Sequence, residues 1–96
     1  MNTFSFLNEL EKIIKDRLQN PKESSYTNFL AQEGVPKIAK KLGEEGVEVS
    51  LASVCENDKR LTSEAADLIY HLLVLLAVRG ISFSDVVNEL RKRNKS

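Results

Sequence analysis

The sequence predicts an all-α fold, a bundle of about four to five helices in which two long central helices run antiparallel. Three observations predict it. Apolar residues recur at the three- and four-residue spacing of a helix, no segment alternates with the two-residue period of a strand, and the few prolines and glycines stand where helices begin or end. At 96 residues, we expect a single domain that spans residues 1–96.

The first half of the chain predicts three helices. Six apolar residues define the first helix, which stops at Asn20-Pro21: Phe6, Leu7, Leu10, Ile13, Ile14 and Leu18. A short second helix is expected from about Ser25, an N-cap residue, to Gly34, a C-cap residue. Pro36 suits the first turn of a long third helix, which we expect to continue to about Asn57.

The second half predicts two more helices. Asn57-Asp58 is expected to cap a long fourth helix that continues to Arg79, with Gly80 as its terminator. Ser82 stands three residues before Asp85, as in the capping box of a last helix. Because the turn between the third and fourth helices is short, we expect these two helices to pack antiparallel.

The composition is typical of a soluble globular protein. Its 14 basic and 14 acidic residues give no net charge, so no global field favours a nucleic acid or a membrane. The apolar run LIYHLLVLLAV is too short to span a bilayer, and the N-terminus lacks the basic region of a signal peptide. The single Cys55 fits a reducing cytoplasm and is expected to be a buried thiol.

Carboxylates lie on the predicted core-facing sides of both long helices. At about 100° per residue, Glu45 falls about 20° from the core position Ile38, and Glu48 lies beside that stripe. On the fourth helix Glu64 lies on the stripe and Asp67 at about 60° on its flank. If the two helices face each other, these four carboxylates converge.

Four ionised acids in one place would be too costly for a small domain. At roughly 6 Å and an effective dielectric constant of about 20, each pair costs about 2.8 kcal/mol and six pairs about 17 kcal/mol. The whole domain is stable by about 5–15 kcal/mol. Either some acids are protonated, or basic side chains pair with them, or a cation binds; an all-oxygen site suits Mg²⁺ or Mn²⁺ rather than zinc. The alternative is that these are surface acids paired with Lys40 and Lys41.

The spacing of the acids resembles a known signature. Glu44-Glu45-x-x-Glu48 followed by Glu64-x-x-Asp67 resembles the EExxE…ExxD pattern of the all-α nucleoside triphosphate pyrophosphohydrolases, the MazG-like superfamily. Within it, the segments SYT, KIAKKLGEEGVEV, EAADLIYHLLVLL and RGISFSDVVNELRKR resemble the phosphoribosyl-ATP pyrophosphatase family of histidine biosynthesis. The resemblance covers nearly the whole chain from residue 25 onward.

The resemblance implies a function for the acids. It implies hydrolysis of phosphoribosyl-ATP between the α and β phosphates, giving phosphoribosyl-AMP and pyrophosphate, the second step of histidine biosynthesis. Glu45, Glu48, Glu64 and Asp67 would hold Mg²⁺, with Mn²⁺ as a possible substitute. Glu44, turned away from the core, would be an extra ligand or a base that orients the water.

Other residues are candidates for binding the substrate or positioning the acids. Lys37 and Lys41, which precede the acids, would bind phosphate oxygens, or else be solvated lysines. His71, one turn after Asp67, would fix that carboxylate as a hydrogen-bond donor, or else be a core histidine. The resemblance alone adds two residues that would reach the nucleotide from the second helix, Tyr26 and Thr27.

Both long helices also carry apolar residues on a second side. These are Val47, Leu51 and Val54 on the third helix, and Ile69 and Leu73 on the fourth. Because one bundle of 96 residues can hardly cover both sides, we expect a second chain to do so. The resemblance also suggests a cytoplasmic homodimer.

Two other functions stay open at this point. One is a house-cleaning enzyme of the same superfamily that acts on dUTP or another nucleoside triphosphate. The other is a helical dimer without enzymatic activity, whose acids only decorate its surface. The first predicts a different substrate; the second predicts no pyrophosphate release and no Mg²⁺-dependent rise in melting temperature.

Overall fold

The computed structural model describes residues 2–94, and the regular structure in that range is entirely helical. The helices in chain order are α1 (Ser5–Gln19), α2 (Tyr26–Glu33), α3 (Val35–Cys55), α4 (Asp58–Val78) and α5 (Phe83–Arg93). The predicted all-α class is therefore confirmed, with helix bounds close to those expected from the sequence.

Three residues with small side chains cap the ends of α2, α3 and α4. The Ser25 hydroxyl accepts a hydrogen bond from the Asn28 N–H at the start of α2, and the Asn57 side chain accepts one from the Arg60 N–H at the start of α4. Gly34 is both the last cap of α2 and the first cap of α3. Its φ of 88° is a left-handed conformation that glycine adopts without steric cost.

The last helix is capped differently from the prediction. Ser82 is the N-cap of α5, but its hydroxyl accepts from the Ser84 N–H, and the predicted capping box with Asp85 is not formed. Instead, the Phe83 N–H donates to the Glu11 carboxylate of α1 over 2.6 Å. A negative charge at a helix N-terminus is favourable, so α1 holds the start of α5 in place.

The core lies where the first four helices meet. One cluster of buried apolar side chains takes one residue from each of α1, α2 and α3 and two from α4: Ile14, Leu30, Ile38, Leu73 and Val74. The prediction that Leu73 faces away from the core with Ile69 is wrong for Leu73, which is 1% exposed. Because α4 contacts α1, α2 and α3, its buried arc is wider than a single stripe.

The two long helices form the most extensive helix pair of the fold. Only residues 56 and 57 separate α3 from α4, so the chain reverses direction and the helices pack antiparallel, as expected. Ile38 and Ala52 on the predicted inward stripe of α3 are completely buried. This packing brings the acidic positions of α3 next to those of α4.

One side of α3 is left uncovered. Val47, Leu51 and Val54 are 58%, 57% and 83% exposed, as expected for a helix that is apolar on two sides. Cys55 is exposed as well, so the prediction of a buried thiol is wrong. It is the last residue of α3, and none of the described helices packs over this end of the apolar side.

Among residues 2–94, the length and apolar composition of one helix would suffice to cross a membrane. This helix is α4 as a whole, which is longer than the apolar run considered from the sequence. It carries two buried polar side chains, Glu64 and His71, and contacts three other helices. Length and composition alone are weak evidence for a membrane span, because the core helix of a globular protein passes the same test.

Candidate active site

Three of the four predicted acidic residues converge between α3 and α4. Glu45, Glu48 and Glu64 each offer one carboxylate oxygen, and these oxygens lie within 4.8 Å of one another. Glu45 and Glu64 are buried, with 4% and 5% exposure, whereas Glu48 lies at the open side of the group. The helical spacing places Glu45 and Glu48 on neighbouring turns of α3, facing Glu64 on α4.

Two basic side chains offset part of this negative charge. Lys41 Nζ lies 3.5 Å from Glu45 Oε1, and Arg60 Nη2 lies 2.8 Å from Glu64 Oε1. Arg60 also reaches Glu56 over 3.5 Å. Arg60 was not predicted from the sequence, although its four-residue spacing from both glutamates was a usable signal.

The remaining oxygens of the two buried glutamates have no partner. Glu45 Oε2 and Glu64 Oε2 are buried, and no described residue donates a hydrogen bond to either. Buried polar atoms are nearly always paired, so two orphaned carboxylate oxygens in one acidic group require an explanation. Hard oxygen donors are the ligands that Mg²⁺ and Mn²⁺ prefer. The residues present therefore fit a divalent cation.

The acidic group raises the pKa values of two of the side chains in and beside it, Glu48 and Lys41. A hydrogen bond with Glu64, reinforced by its negative charge, raises the pKa of Glu48 above the ordinary value for glutamate. Desolvation lowers the pKa of Lys41, but the hydrogen bond to Glu45 and the charge of Glu45 outweigh it, so the pKa of Lys41 is raised. Lys41 therefore stays a cation beside the acids.

Asp67, the fourth predicted ligand, stands apart from the group of three. Its side chain is exposed, and it is not among the acids whose oxygens lie within 4.8 Å of one another. The predicted hydrogen bond from His71 to its carboxylate is not present among the described contacts. His71 Nδ1 instead lies 2.7 Å from the Asp67 backbone oxygen, because the four-residue spacing places the ring beside that carbonyl.

The other side of the His71 ring holds α2. Since a backbone carbonyl only accepts, Nδ1 of His71 donates to Asp67, and in the neutral ring Nε2 is an acceptor. The Tyr26 hydroxyl, 3.1 Å from Nε2, then donates to it. Burial raises the pKa of Tyr26, so the phenol keeps the proton that this bond needs. His71 thus positions Tyr26 rather than a carboxylate.

Aromatic rings line the junction of α2 and α4. The Tyr26 ring stacks with Phe29 and with Tyr70, each at a centroid distance of 6.1 Å. Thr27, predicted to reach the nucleotide, is 6% exposed and its hydroxyl lies 2.6 Å from the Tyr70 hydroxyl. Thr27 therefore takes part in a tertiary contact between α2 and α4 instead of facing an open site.

A cleft of about 280 Å³ lies between α2 and α3. Its lining includes three lysines, two aromatic rings and a carboxylate: Lys37, Lys40, Lys41, Tyr26, Phe29 and Glu33. Glu44, exposed as predicted, lines the same cleft, and Lys41 connects it to Glu45. The cleft is therefore adjacent to the acidic group, and Lys41 is the residue that contacts both. Lys37, Lys41 and Tyr26 were predicted from the sequence, whereas Phe29 and Lys40 were not.

Comparison with known families agrees with this geometry. Residues 7–94 match the model of the family described as phosphoribosyl-ATP pyrophosphohydrolase. The chain belongs to the phosphoribosyl-ATP pyrophosphohydrolase family. The match covers the acidic residues of both long helices and all of the cleft, so the resemblance drawn from the acidic signature is confirmed.

Individual relatives within the phosphoribosyl-ATP pyrophosphohydrolase family are similar over nearly the whole of this chain. A protein of Metallosphaera sedula named phosphoribosyl-ATP pyrophosphatase is 55% identical over 93% of this chain and 96% of its own. A protein of the same name from Clostridium acetobutylicum is 46% identical over 99% of this chain and 86% of its own. A histidine biosynthesis bifunctional protein of Pyrococcus furiosus is 53% identical over 97% of this chain but only 43% of its own.

Proposed function

We propose that this chain hydrolyses phosphoribosyl-ATP between the α and β phosphates in a Mg²⁺-dependent reaction, with phosphoribosyl-AMP and pyrophosphate as products. The observation that carries the proposal is the group of three glutamates, with two orphaned buried oxygens, in a member of this family. The names of the relatives support the substrate and a place in histidine biosynthesis, where this is the second step. We further propose that it acts in the cytoplasm.

Three glutamates would hold the cation. Glu45 and Glu64 supply their orphaned oxygens, and Glu48 supplies one from the open side. When bound, the cation neutralises the triphosphate and lowers the pKa of an attacking water. Asp67, one turn after Glu64, stays a predicted fourth ligand, supported by its place in the ExxD pattern of the family resemblance.

The neighbouring side chains would bind and orient the reactants. Lys41 is fixed beside Glu45 at the mouth of the cleft, where its ammonium group can donate to the phosphate oxygens that gain charge as pyrophosphate leaves. Glu44, exposed next to it, has the free carboxylate needed to accept a proton from the water. Because the Tyr26 hydroxyl is held by His71, Tyr26 would contact the nucleotide through its ring.

The uncovered side of α3 supports a homodimer. Val47, Leu51 and Val54 form an exposed apolar row along the helix that also carries Glu45 and Glu48. Burying such a row removes apolar surface from water, and a second copy of the chain presents the same row in a two-fold arrangement. Leu51→Lys should shift the protein to monomers in sedimentation analysis, whereas Lys12→Met on α1 should leave the oligomer unchanged.

The decisive experiment measures pyrophosphate release from phosphoribosyl-ATP with and without Mg²⁺. We expect turnover with Mg²⁺, none in EDTA, and recovery when Mg²⁺ is restored; full activity in chelator would contradict the metal assignment. Glu48→Gln and Asp67→Asn should abolish turnover while leaving helicity and oligomeric state intact. Faster hydrolysis of dUTP than of phosphoribosyl-ATP would instead identify a house-cleaning enzyme.

A further inference from the structure

We propose that the far end of the cleft, formed by Glu33, Lys37 and Lys40, binds the phosphoribosyl group of phosphoribosyl-ATP and so distinguishes this substrate from ATP. The inference rests on the proposed function and adds the origin of its specificity. We call these three residues the lysine end of the cleft.

The two lysines at this end are uncommitted, unlike the third. Lys41 pairs with Glu45, whereas within residues 2–94 neither Lys37 nor Lys40 has an ion pair or a side-chain hydrogen bond. Residues three apart on a helix are surface neighbours, so two like charges at this spacing repel each other. A phosphate bound between them relieves that repulsion and accepts hydrogen bonds from both ammonium groups.

The position of this end argues against a role in holding the triphosphate. Lys37 and Lys40 lie eight and five residues before Glu45, which corresponds to about 12 Å and about 7.5 Å along the helix axis. Under the proposed function, Lys41 already binds the phosphates next to the acids. An anion at Lys37 and Lys40 is therefore a separate group, and phosphoribosyl-ATP carries one because its second ribose phosphate is attached on the other side of the purine.

The remaining lining of the cleft matches the parts between the two phosphates. Phe29 is 55% exposed, and its ring lies within 21° of parallel to Tyr26, so its face is available for the purine. Glu33 is the last residue of α2 and lines the cleft across from the lysines. Its ionised carboxylate can only accept hydrogen bonds, which suits the two hydroxyl donors of a ribose. The cleft thus offers an aromatic ring for the purine, a carboxylate for the ribose and two lysines for the phosphate.

The test compares two ligands that differ only in the phosphoribosyl group. Binding of phosphoribosyl-AMP and of AMP is measured by calorimetry on the wild type and on Lys37→Met/Lys40→Met. We expect the double variant to weaken phosphoribosyl-AMP binding by about tenfold or more, since charge-assisted hydrogen bonds are lost. AMP binding should be unchanged. Lys37→Arg/Lys40→Arg keeps the charges and should retain most of the affinity for phosphoribosyl-AMP.

Two controls separate the possible failures. Lys12→Met, an exposed lysine on α1 away from the cleft, should change neither affinity. Equal weakening of both ligands, or no weakening of phosphoribosyl-AMP, would overturn the assignment of the lysine end while leaving the hydrolytic function intact. Absence of pyrophosphate release from phosphoribosyl-ATP by the wild type would instead overturn the proposed function, whatever the binding results.

Discussion

Replacing Arg60 with methionine should destabilise the protein, and Mg²⁺ should restore much of the loss. Arg60 donates to Glu64 over 2.8 Å, and the Glu64 side chain is almost completely buried. Methionine keeps an apolar stem of similar length but provides neither charge nor donor. The Arg60→Met variant therefore leaves a buried carboxylate with one partner fewer, next to two other glutamates.

The size of the effect follows from the burial of the acceptor. A hydrogen bond to a charged group contributes about 1.5–3 kcal/mol, and the exposure of Arg60 itself favours the lower half of that range. A loss of about 2 kcal/mol lowers the melting temperature of a domain of this size by about 8–16 °C. Arg93→Met is the matched control, because Arg93 pairs with Glu89 at the same four-residue spacing and 3.1 Å, but on the surface. Its loss should stay below about 1 kcal/mol.

The assay is thermal unfolding in EDTA and in excess Mg²⁺. In EDTA, Arg60→Met should melt well below both the wild type and Arg93→Met. With Mg²⁺ the gap between Arg60→Met and the wild type should narrow, because a cation at the glutamates compensates the charge that Arg60 no longer offsets. Equal losses for the two arginine variants, or a gap that Mg²⁺ leaves unchanged, would refute the reasoning about the buried Glu64.

Three further predictions concern one acid of the site, one cap and the core. Glu48 has a raised pKa in the folded state, so between the unfolded and folded pKa values the folded protein binds more protons and the free energy of unfolding in EDTA should fall as pH rises. Glu48→Gln should remove this slope and raise the melting temperature in EDTA. Glu11→Ala removes the acceptor of the Phe83 N–H and should cost about 1 kcal/mol, seen as earlier urea unfolding. Leu73→Ala should cost about 2–5 kcal/mol, because Leu73 is fully buried, whereas Val54→Ala should cost far less in a monomeric background.

Each of these has a result that contradicts it. If the free energy of unfolding measured in EDTA instead rises with pH through the acid range, Glu48 does not retain its proton in the folded state. A Glu11→Ala variant as stable as the wild type would mean that the start of α5 is held by other contacts. A small loss for Leu73→Ala would place that side chain outside the tightly packed core.

The sequence predicted those features that depend on spacing within one helix. Ser25 and Asn57 begin helices and Gly34 ends one where their cap preferences indicated, and the helical period placed Glu45 and Glu64 on inward faces. These features follow from local geometry, which a single segment determines.

The sequence was less informative where several helices meet. Leu73 is buried because α4 is contacted from three sides, a fact that the period of α4 alone does not contain. His71 was predicted either to reach the carboxylate of Asp67 or to be a core histidine, and its buried ring bonds the backbone carbonyl of Asp67 and a tyrosine of another helix. Phe29 became a candidate only once α2 was seen to form a wall of the cleft.

Because Gly34 caps both helices, α2 and α3 meet at this one residue and diverge from it. Phe29 and Glu33 lie on α2, and Lys37 and Lys40 lie on α3, so the torsion angles of Gly34 contribute to the width of the cleft between them. A side chain added at Gly34 would be strained at its positive φ. Relaxing that strain would change the angle between α2 and α3. Gly34, which does not line the cleft, thus helps to determine the length of ligand that fits.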